Sequence, residues 1–319
     1  MHTSKSVTFG EGSRVSFVED TLKEPAYGQV LVRMMACGIC KFDVACLLDL
    51  NENPGYSARP GHEGVGIVEA SGPGVEDLKP GDKVASFMLG GAMAERYIAS
   101  RDTVVRIPDE VEDYALWVAE PVACVVSALR LMRIEPGDDV VLLGCGYMGL
   151  LLFQGLPKEY LASLVVIDVD ESRLELAKKL GAEMVINALT ERPVEAVLDR
   201  VGRKADLVIE AVGEPGTIAQ ATRMLKDGGR LTIFGFHHGE ETIPTGVWHM
   251  HGLEVLNTTP FMSRDFHRDL EDAVQLMSKK RFDQSLLVTH IYSYDDAARA
   301  MEETAAHPPD MIKSVLVRY

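Results

Sequence analysis

The sequence predicts an α/β protein with two domains, one small and mostly β, the other a doubly wound parallel sheet. Three observations carry this expectation. Up to about residue 120, short β-rich runs alternate with Gly/Pro turn signals. From about Val122 the rhythm becomes strand, helix, strand. The glycine hexad "GCGYMG" follows the first strand of that second region.

In chain order, "GQVLVRMMA", "GVGIVEA", "GDKVAS" and "ERYIAS" read as strands, separated by "GPG" at 72–74 and "KPGD" at 79–82. Gly and Pro set tight turns there, which leaves polar chemistry on the connections. The second region opens with "DVVLLGCG" and "LVVIDVD", two buried strands. "ESRLELAKKLGA" follows as a helix, with Leu174, Ala177 and Leu180 at helical spacing and Gly181 as its stop. "DLVIEAVG" is a third strand, "TIAQATRMLKDGG" a helix with a Gly stop, and "RLTIFGF" a further strand. Strands separated by helix-length patterns imply a parallel sheet with helices on both faces. "DLEDAVQLMSKKRF" and "DDAARAMEET" then read as helices, closed by an apolar strand "KSVLVRY". This tail lacks the preceding rhythm and is assigned back to the first domain. The expected division is therefore 1–121 with 256–319, and 122–255.

Composition narrows the function. The chain has 319 residues, and 48 acidic against 32 basic residues give a net charge of −16. That argues against binding nucleic acid or an anionic membrane through a broad basic face. The amino terminus lacks the apolar core of a signal peptide, and runs such as Val140 to Leu143 are too short to span a bilayer. Five cysteines, an odd number, point to reduced thiols and a cytoplasmic protein without a disulfide scaffold.

The hexad supplies Gly144, Gly146 and Gly149, with Tyr147 and Met148 between them. It lies between a strand and a helix-compatible segment, the context in which G-x-G-x-x-G binds a dinucleotide. Gly144 permits the turn, Gly146 lets backbone approach a pyrophosphate, and Gly149 lets helix and strand pack. Pro157 should end this helix early. Asp168 lies 19 residues beyond Gly149, at the end of the second strand. A carboxylate there accepts ribose hydroxyls and repels a 2′-phosphate, favouring NAD over NADP. The plainer reading makes Asp168 a helix cap beside Asp170. Arg173, Val212, Phe234, Gly235 and Phe236 complete the candidate cofactor set.

"ACGICKFDVA" raises a different chemistry. Cys37 and Cys40 could be a redox pair, half a zinc knuckle, or one ligand beside a bystander. His62 and Glu63 in "GHEG" read as loop residues before a strand, and Glu120 in "AEPVAC" sits at the seam between the two textures. Cys40, His62 and Glu120 offer sulfur, imidazole and oxygen, a mixture that zinc accepts with a position left open for catalysis.

In order, "CGICxxD", "GHExxG", "KPGDKV", "EP" and "GxGxxG" resemble the zinc-dependent medium-chain dehydrogenase/reductase family, especially its sorbitol and threonine dehydrogenase-like branch. The resemblance covers nearly the whole chain. It implies a GroES-like catalytic domain built from both chain ends around a central Rossmann domain. Cys40 and His62 would be metal ligands, Glu63 and Glu120 would share the carboxylate role, and Asp43 would orient the histidine. Cys37 would be a packed thiol, as would Cys46, Cys124 and Cys145. The implied activity is NAD-linked interconversion of a secondary alcohol, on a polyol, cyclitol or sugar-like molecule, and its ketone. A biosynthetic reductase of a carbonyl or activated alkene, and a non-catalytic NAD-binding relative, are the alternatives. "LEVLN" resembles the edge strand that relatives pair across a dimer, so a homodimer or homotetramer is expected, with Asn257 to Thr259 on the substrate wall.

Two departures stand out. The closely spaced cysteines that bind a structural zinc in relatives are missing, so one catalytic zinc per chain is expected. Phe42 replaces the usual Ser or Thr of the proton relay, and Ala45 replaces its outer histidine. Glu63, Glu120 or a buried Lys41 would carry the proton instead. His237 and His238 read as cofactor-proximal or solvated, and His249 and His251 as loop or interface groups.

Overall fold

A computed structural model describes residues 1–10, 12–48, 58–238 and 240–318. The chain forms two compact units, Met1–Cys124 with Arg264–Tyr319, and Val125–Ser263. The return to the first unit, expected at 256, falls at Arg264. The reason is local: strand Glu254–Asn257 pairs with Leu225–Ile233 and stays with the second unit.

The first unit is built on a seven-stranded sheet. Its long central strand, Gln29–Ile39, carries the consecutive apolar residues Val30, Leu31 and Val32 and is mostly buried. On one side it pairs antiparallel with Glu63–Ser71, which carries Lys83–Phe87 and then Val104–Arg106. On the other it pairs with Lys313–Val317, beyond which lies Val288–Ser293. Arg96–Ser100 also pairs with the central strand, and His2–Gly10 forms a separate hairpin with Arg14–Leu22. Val288–Ser293 was not expected: only Tyr292 along it is buried, so its sequence carries no clear apolar alternation. Glu63 opens a strand instead of sitting on a loop, and its partner in the register is Gly38. Helices Phe266–Ser278 and Ala297–Ala306 match the expected tail pattern.

The second unit holds six parallel strands in the order Met184–Asn187, Ser163–Asp168, Asp139–Leu143, Ala205–Glu210, Leu225–Ile233, Glu254–Asn257. Asp139–Leu143 is buried throughout, as a parallel strand covered on both faces must be. The chain leaves this strand to one side and later returns to its other side at Ala205–Glu210. Such a reversal leaves a crevice at the carboxyl ends of the two strands, the usual place for a dinucleotide. Helix Tyr147–Gly155 stops just before Pro157, as expected. It buries Phe153, whose truncation to alanine would cost about 3–5 kcal/mol.

Three expectations need correction. Strand Met184–Asn187 and helix Pro193–Val201 were not anticipated. Helix Thr217–Met224 does not run to a glycine stop: Leu225 already belongs to the next strand, which takes in Gly228 and Gly229 across an irregular register. Tyr114–Leu131 has the length and composition to cross a membrane, but most of it is buried within the fold.

Candidate active site

Three distant segments meet at one end of the first unit's sheet. The central strand ends at Ile39, and Cys40 caps helix Lys41–Leu47. Strand Glu63–Ser71 delivers His62 and Glu63 alongside, and Lys313–Val317 enters from the other flank. The ligand atoms of Cys40, His62 and Glu63 all lie within 4.8 Å of one another. A thiolate, an imidazole and a carboxylate this close form a donor set suited to zinc. Among the described residues Glu120 is not part of that tight group. It opens helix Glu120–Leu131, buried, and accepts a hydrogen bond from Cys124 Sγ at 3.2 Å.

Asp43 is fully buried and binds the cluster together. Its carboxylate accepts the Cys40 N–H at 3.0 Å and the Gly61 N–H at 2.9 Å, and it lies 3.6 Å from His62 Nδ1. Burial alone would raise its pKa, but the His62 ring and these N–H groups outweigh burial and hold it below the usual carboxylate range. Burial likewise disfavours charge on His62, yet Asp43 overrides it and raises the imidazole well above its ordinary value. Burial pushes the Glu120 carboxyl up to about 7, a shift that His62 opposes and Glu63 reinforces.

Lys313 is the functional neighbour that sequence reasoning missed. Its Nζ donates to Glu63 Oε1 at 2.8 Å and to the Ile39 carbonyl at 3.0 Å. Gly38 makes room for this pair, because a Cβ there would collide with the Glu63 carboxylate. Lys41, by contrast, is exposed at the first position of its helix, so the burial that a lysine base requires is absent. Phe42 is half-buried with its ring edge-on to His62, the centroids 6.1 Å apart. Cys37 is fully buried, and burial raises its thiol far above the ordinary range, which suits a packed residue and not a redox partner.

In the second unit the hexad forms the turn between Asp139–Leu143 and Tyr147–Gly155. Gly144 has φ +100°, and a Cβ there would meet Val212 Cγ2 at 2.8 Å. A Cβ on Gly149 would strike the Gly144 carbonyl, so helix and strand pack only with glycine. Tyr147 and Met148 open the helix, and Arg173 Nη1 reaches over Gly146. Asp168 Oδ2 accepts the Cys145 N–H at 2.7 Å, while Oδ1 accepts the N–H groups of Val169 and Asp170. The helix cap is Asp170, which accepts from Ser172 N–H, so the plainer reading of Asp168 does not hold.

Val212, Phe234, Gly235 and Phe236 gather around a second missed residue, Glu210. This fully buried carboxylate accepts the Val212 and Gly213 N–H groups, and its backbone carbonyl accepts those of Phe234 and Gly235. His237 Nε2 lies within hydrogen-bonding distance of its Oε2, at 2.8 Å, and is not simply solvated. His238 packs against the Phe236 ring, His249 is exposed, and His251 pairs with Asp227.

Comparison with known proteins follows this division. Residues 26–109 match the alcohol dehydrogenase GroES-like domain, and residues 148–279 match zinc-binding dehydrogenase. An alcohol dehydrogenase of Geobacillus stearothermophilus is 29% identical over 78% of this chain and 82% of its own. D-xylulose reductase of Saccharomyces cerevisiae is 26% identical over 90% of each chain. An Escherichia coli oxidoreductase/dehydrogenase of unknown specificity, described as involved in membrane biogenesis, superimposes with a TM-score of 0.88 at 25% identity, covering 99% of both chains. With a GroES-like domain, a six-stranded parallel sheet and a Cys–His–Glu donor cluster on one polypeptide, the chain belongs to the zinc-dependent medium-chain dehydrogenase/reductase superfamily and is an oxidoreductase of the alcohol dehydrogenase type.

Proposed function

We propose that the protein is a zinc-dependent, NAD-linked dehydrogenase that interconverts a secondary alcohol, of polyol or sugar-like type, and its ketone. The observation that carries this reading is the convergence of Cys40, His62 and Glu63 within 4.8 Å. When bound, zinc polarises the substrate oxygen and the nicotinamide exchanges a hydride with the carbinol carbon. Cys40 and His62 would hold the metal, and Asp43, 3.6 Å from His62 Nδ1, would orient the ring for it. Glu63 supplies an oxygen whose negative charge Lys313 partly neutralises.

Glu120 takes the place of the missing hydroxyl relay. A buried carboxyl raised to about 7 is poised to accept the alcohol's proton near neutral pH and to return it in the reverse direction. Phe42, its ring set against His62, carries no exchangeable proton. Its presence favours, as a second reading, a reductase working toward the alcohol, which needs the same residues.

Asp168 favours NAD over NADP, because its fixed carboxylate would face a 2′-phosphate with like charge. The stretch "DKVASFMLGGAMAERY" contains no cysteine for a structural-zinc lobe, so we propose one zinc per chain. The edge strand Glu254–Asn257, with Val255 exposed, supports pairing of two copies. NADH formation across a panel of polyols and simple alcohols, with and without a chelator, tests the proposal. Chelator-insensitive turnover would sink the zinc chemistry.

A further inference from the structure

Two loops leave the carboxyl ends of the neighbouring parallel strands Ala205–Glu210 and Leu225–Ile233, and both are fastened to one residue. Glu210 is fully buried. Its Oε1 accepts the Val212 N–H at 2.8 Å and the Gly213 N–H at 2.9 Å, so the first loop folds back on its own strand end. The same oxygen accepts the Thr217 hydroxyl at 2.9 Å, from the start of helix Thr217–Met224. Oε2 lies 2.8 Å from His237 Nε2 on the second loop, and the Glu210 backbone carbonyl accepts the N–H groups of Phe234 and Gly235. The loops also meet directly. A Cβ on Gly213 would collide with the Phe236 carbonyl, and one on Gly235 would collide with the Gly213 nitrogen.

Strand order says which part of a dinucleotide these loops would meet. Asp168 ends strand Ser163–Asp168, the glycine hexad follows Asp139–Leu143, and Ala205–Glu210 and then Leu225–Ile233 come next across the sheet. With the adenosine ribose at Asp168 and the pyrophosphate at the hexad, the other half of the cofactor lies over the carboxyl ends of the last two strands. We propose that Glu210 is a positioning residue that joins the two loops into one surface for the nicotinamide half. The inference rests on the dinucleotide reading above. Being buried, Glu210 acts through the loops and not by contact with the cofactor. Without its carboxylate the Val212 and Gly213 N–H groups lose their acceptor, and a backbone donor left unpaired must move to find another.

The test compares wild type with Glu210→Ala and Glu210→Gln. It combines amide hydrogen exchange on the cofactor-free protein with the affinities for NADH and for ADP-ribose, which lacks the nicotinamide. In Glu210→Ala the protection of the Val212 and Gly213 amides and the NADH affinity should each fall about tenfold, as for a lost hydrogen bond to a carboxylate. ADP-ribose should bind as it does to wild type. Glu210→Gln keeps an acceptor oxygen and should recover most of both losses. Unchanged protection of Val212 and Gly213, or a loss spread evenly over the whole second unit, overturns the joining of the loops. Equal losses of NADH and ADP-ribose affinity, or no loss of either, overturn the nicotinamide role. Loosened loops in a protein whose wild type binds neither ligand keep the joining and overturn the dinucleotide reading instead. Should Glu210→Ala fail to fold, Thr217→Val decides. It removes one of the three donors to Oε1, and should weaken NADH by about threefold with ADP-ribose unchanged. NADH affinity equal to that of wild type would then overturn the proposal.

Discussion

Lys313 Nζ lies 2.6 Å from Glu63 Oε2, although 250 residues separate the two in sequence. Both side chains are almost fully buried. Burial would strip Lys313 of its proton, but Glu63 and its acidic neighbours outweigh burial and hold its pKa above that of ordinary lysine. The pair therefore places one fixed positive charge beside a site that must also accept a metal cation.

Removing that lysine should destabilise the metal-free protein strongly. Lys313→Met leaves the Glu63 carboxylate buried without its counter-charge, which costs about 3–5 kcal/mol. Zinc supplies a replacement charge, so the loss should shrink in metal-loaded protein, and Lys313→Arg should recover most of it. Denaturant unfolding with and without zinc measures this. An equal loss in both states would show that Lys313 is not electrostatically coupled to the metal.

Metal binding should strengthen as pH rises. Asp43 raises the His62 pKa well above the ordinary 6.5, and a histidine must release its proton to bind zinc. Each proton released steepens the affinity by about tenfold per pH unit. Competition against a chromophoric chelator at several pH values should show this slope, and Asp43→Asn should flatten it. A slope unaffected by the Asn substitution would separate Asp43 from the ligand's titration.

Glu120 makes a prediction of opposite sign for stability. Its pKa rises from 4.5 to about 7 on folding, chiefly through burial. Between these values the folded metal-free protein holds a proton that the unfolded chain has released. Its contribution to stability is thus present below pH 4.5 and is lost as pH rises toward about 7. Thermal melts across this window should fall with pH in wild type and less steeply in Glu120→Gln. Parallel slopes would mean that Glu120 is not buried as described.

At the dinucleotide site, Asp168→Ser should lower kcat/KM with NAD by about ten- to a hundredfold, the worth of a hydrogen bond to a charged group. The same change should lift the relative use of NADP by removing the repelling charge. Initial rates with both cofactors decide it. An unchanged NAD/NADP ratio would remove Asp168 from cofactor choice.

Much of this architecture is legible in the sequence because it rests on local rules. Gly144, Gly149 and Asp168 occupy positions that a strand-turn-helix geometry requires, and Cys40, His62 and Asp43 come from short motifs at strand ends. What stayed hidden depends on long-range pairing. Lys313 sits in an apolar run where a lysine ordinarily marks an exposed edge, and only the pairing of Ser314 with Ile39 carries it beneath Glu63. Glu210 reads as the polar end of a strand, and nothing local signals that two loops hang from it. Strand Met184–Asn187 is four residues long, too short for its period to show. The proposed lysine base failed for a similar reason. The motif places Lys41 next to a ligand, but the turn of the helix puts it in solvent.

The central claim is that Cys40, His62 and a glutamate hold one divalent metal on which turnover depends. Zinc content and alcohol oxidation measured together on wild type and on the Cys40→Ala/His62→Ala double variant test it most directly. The account predicts one zinc per chain in wild type, with metal and activity both lost from a variant that still binds NADH. Full turnover in the metal-depleted double variant would contradict it.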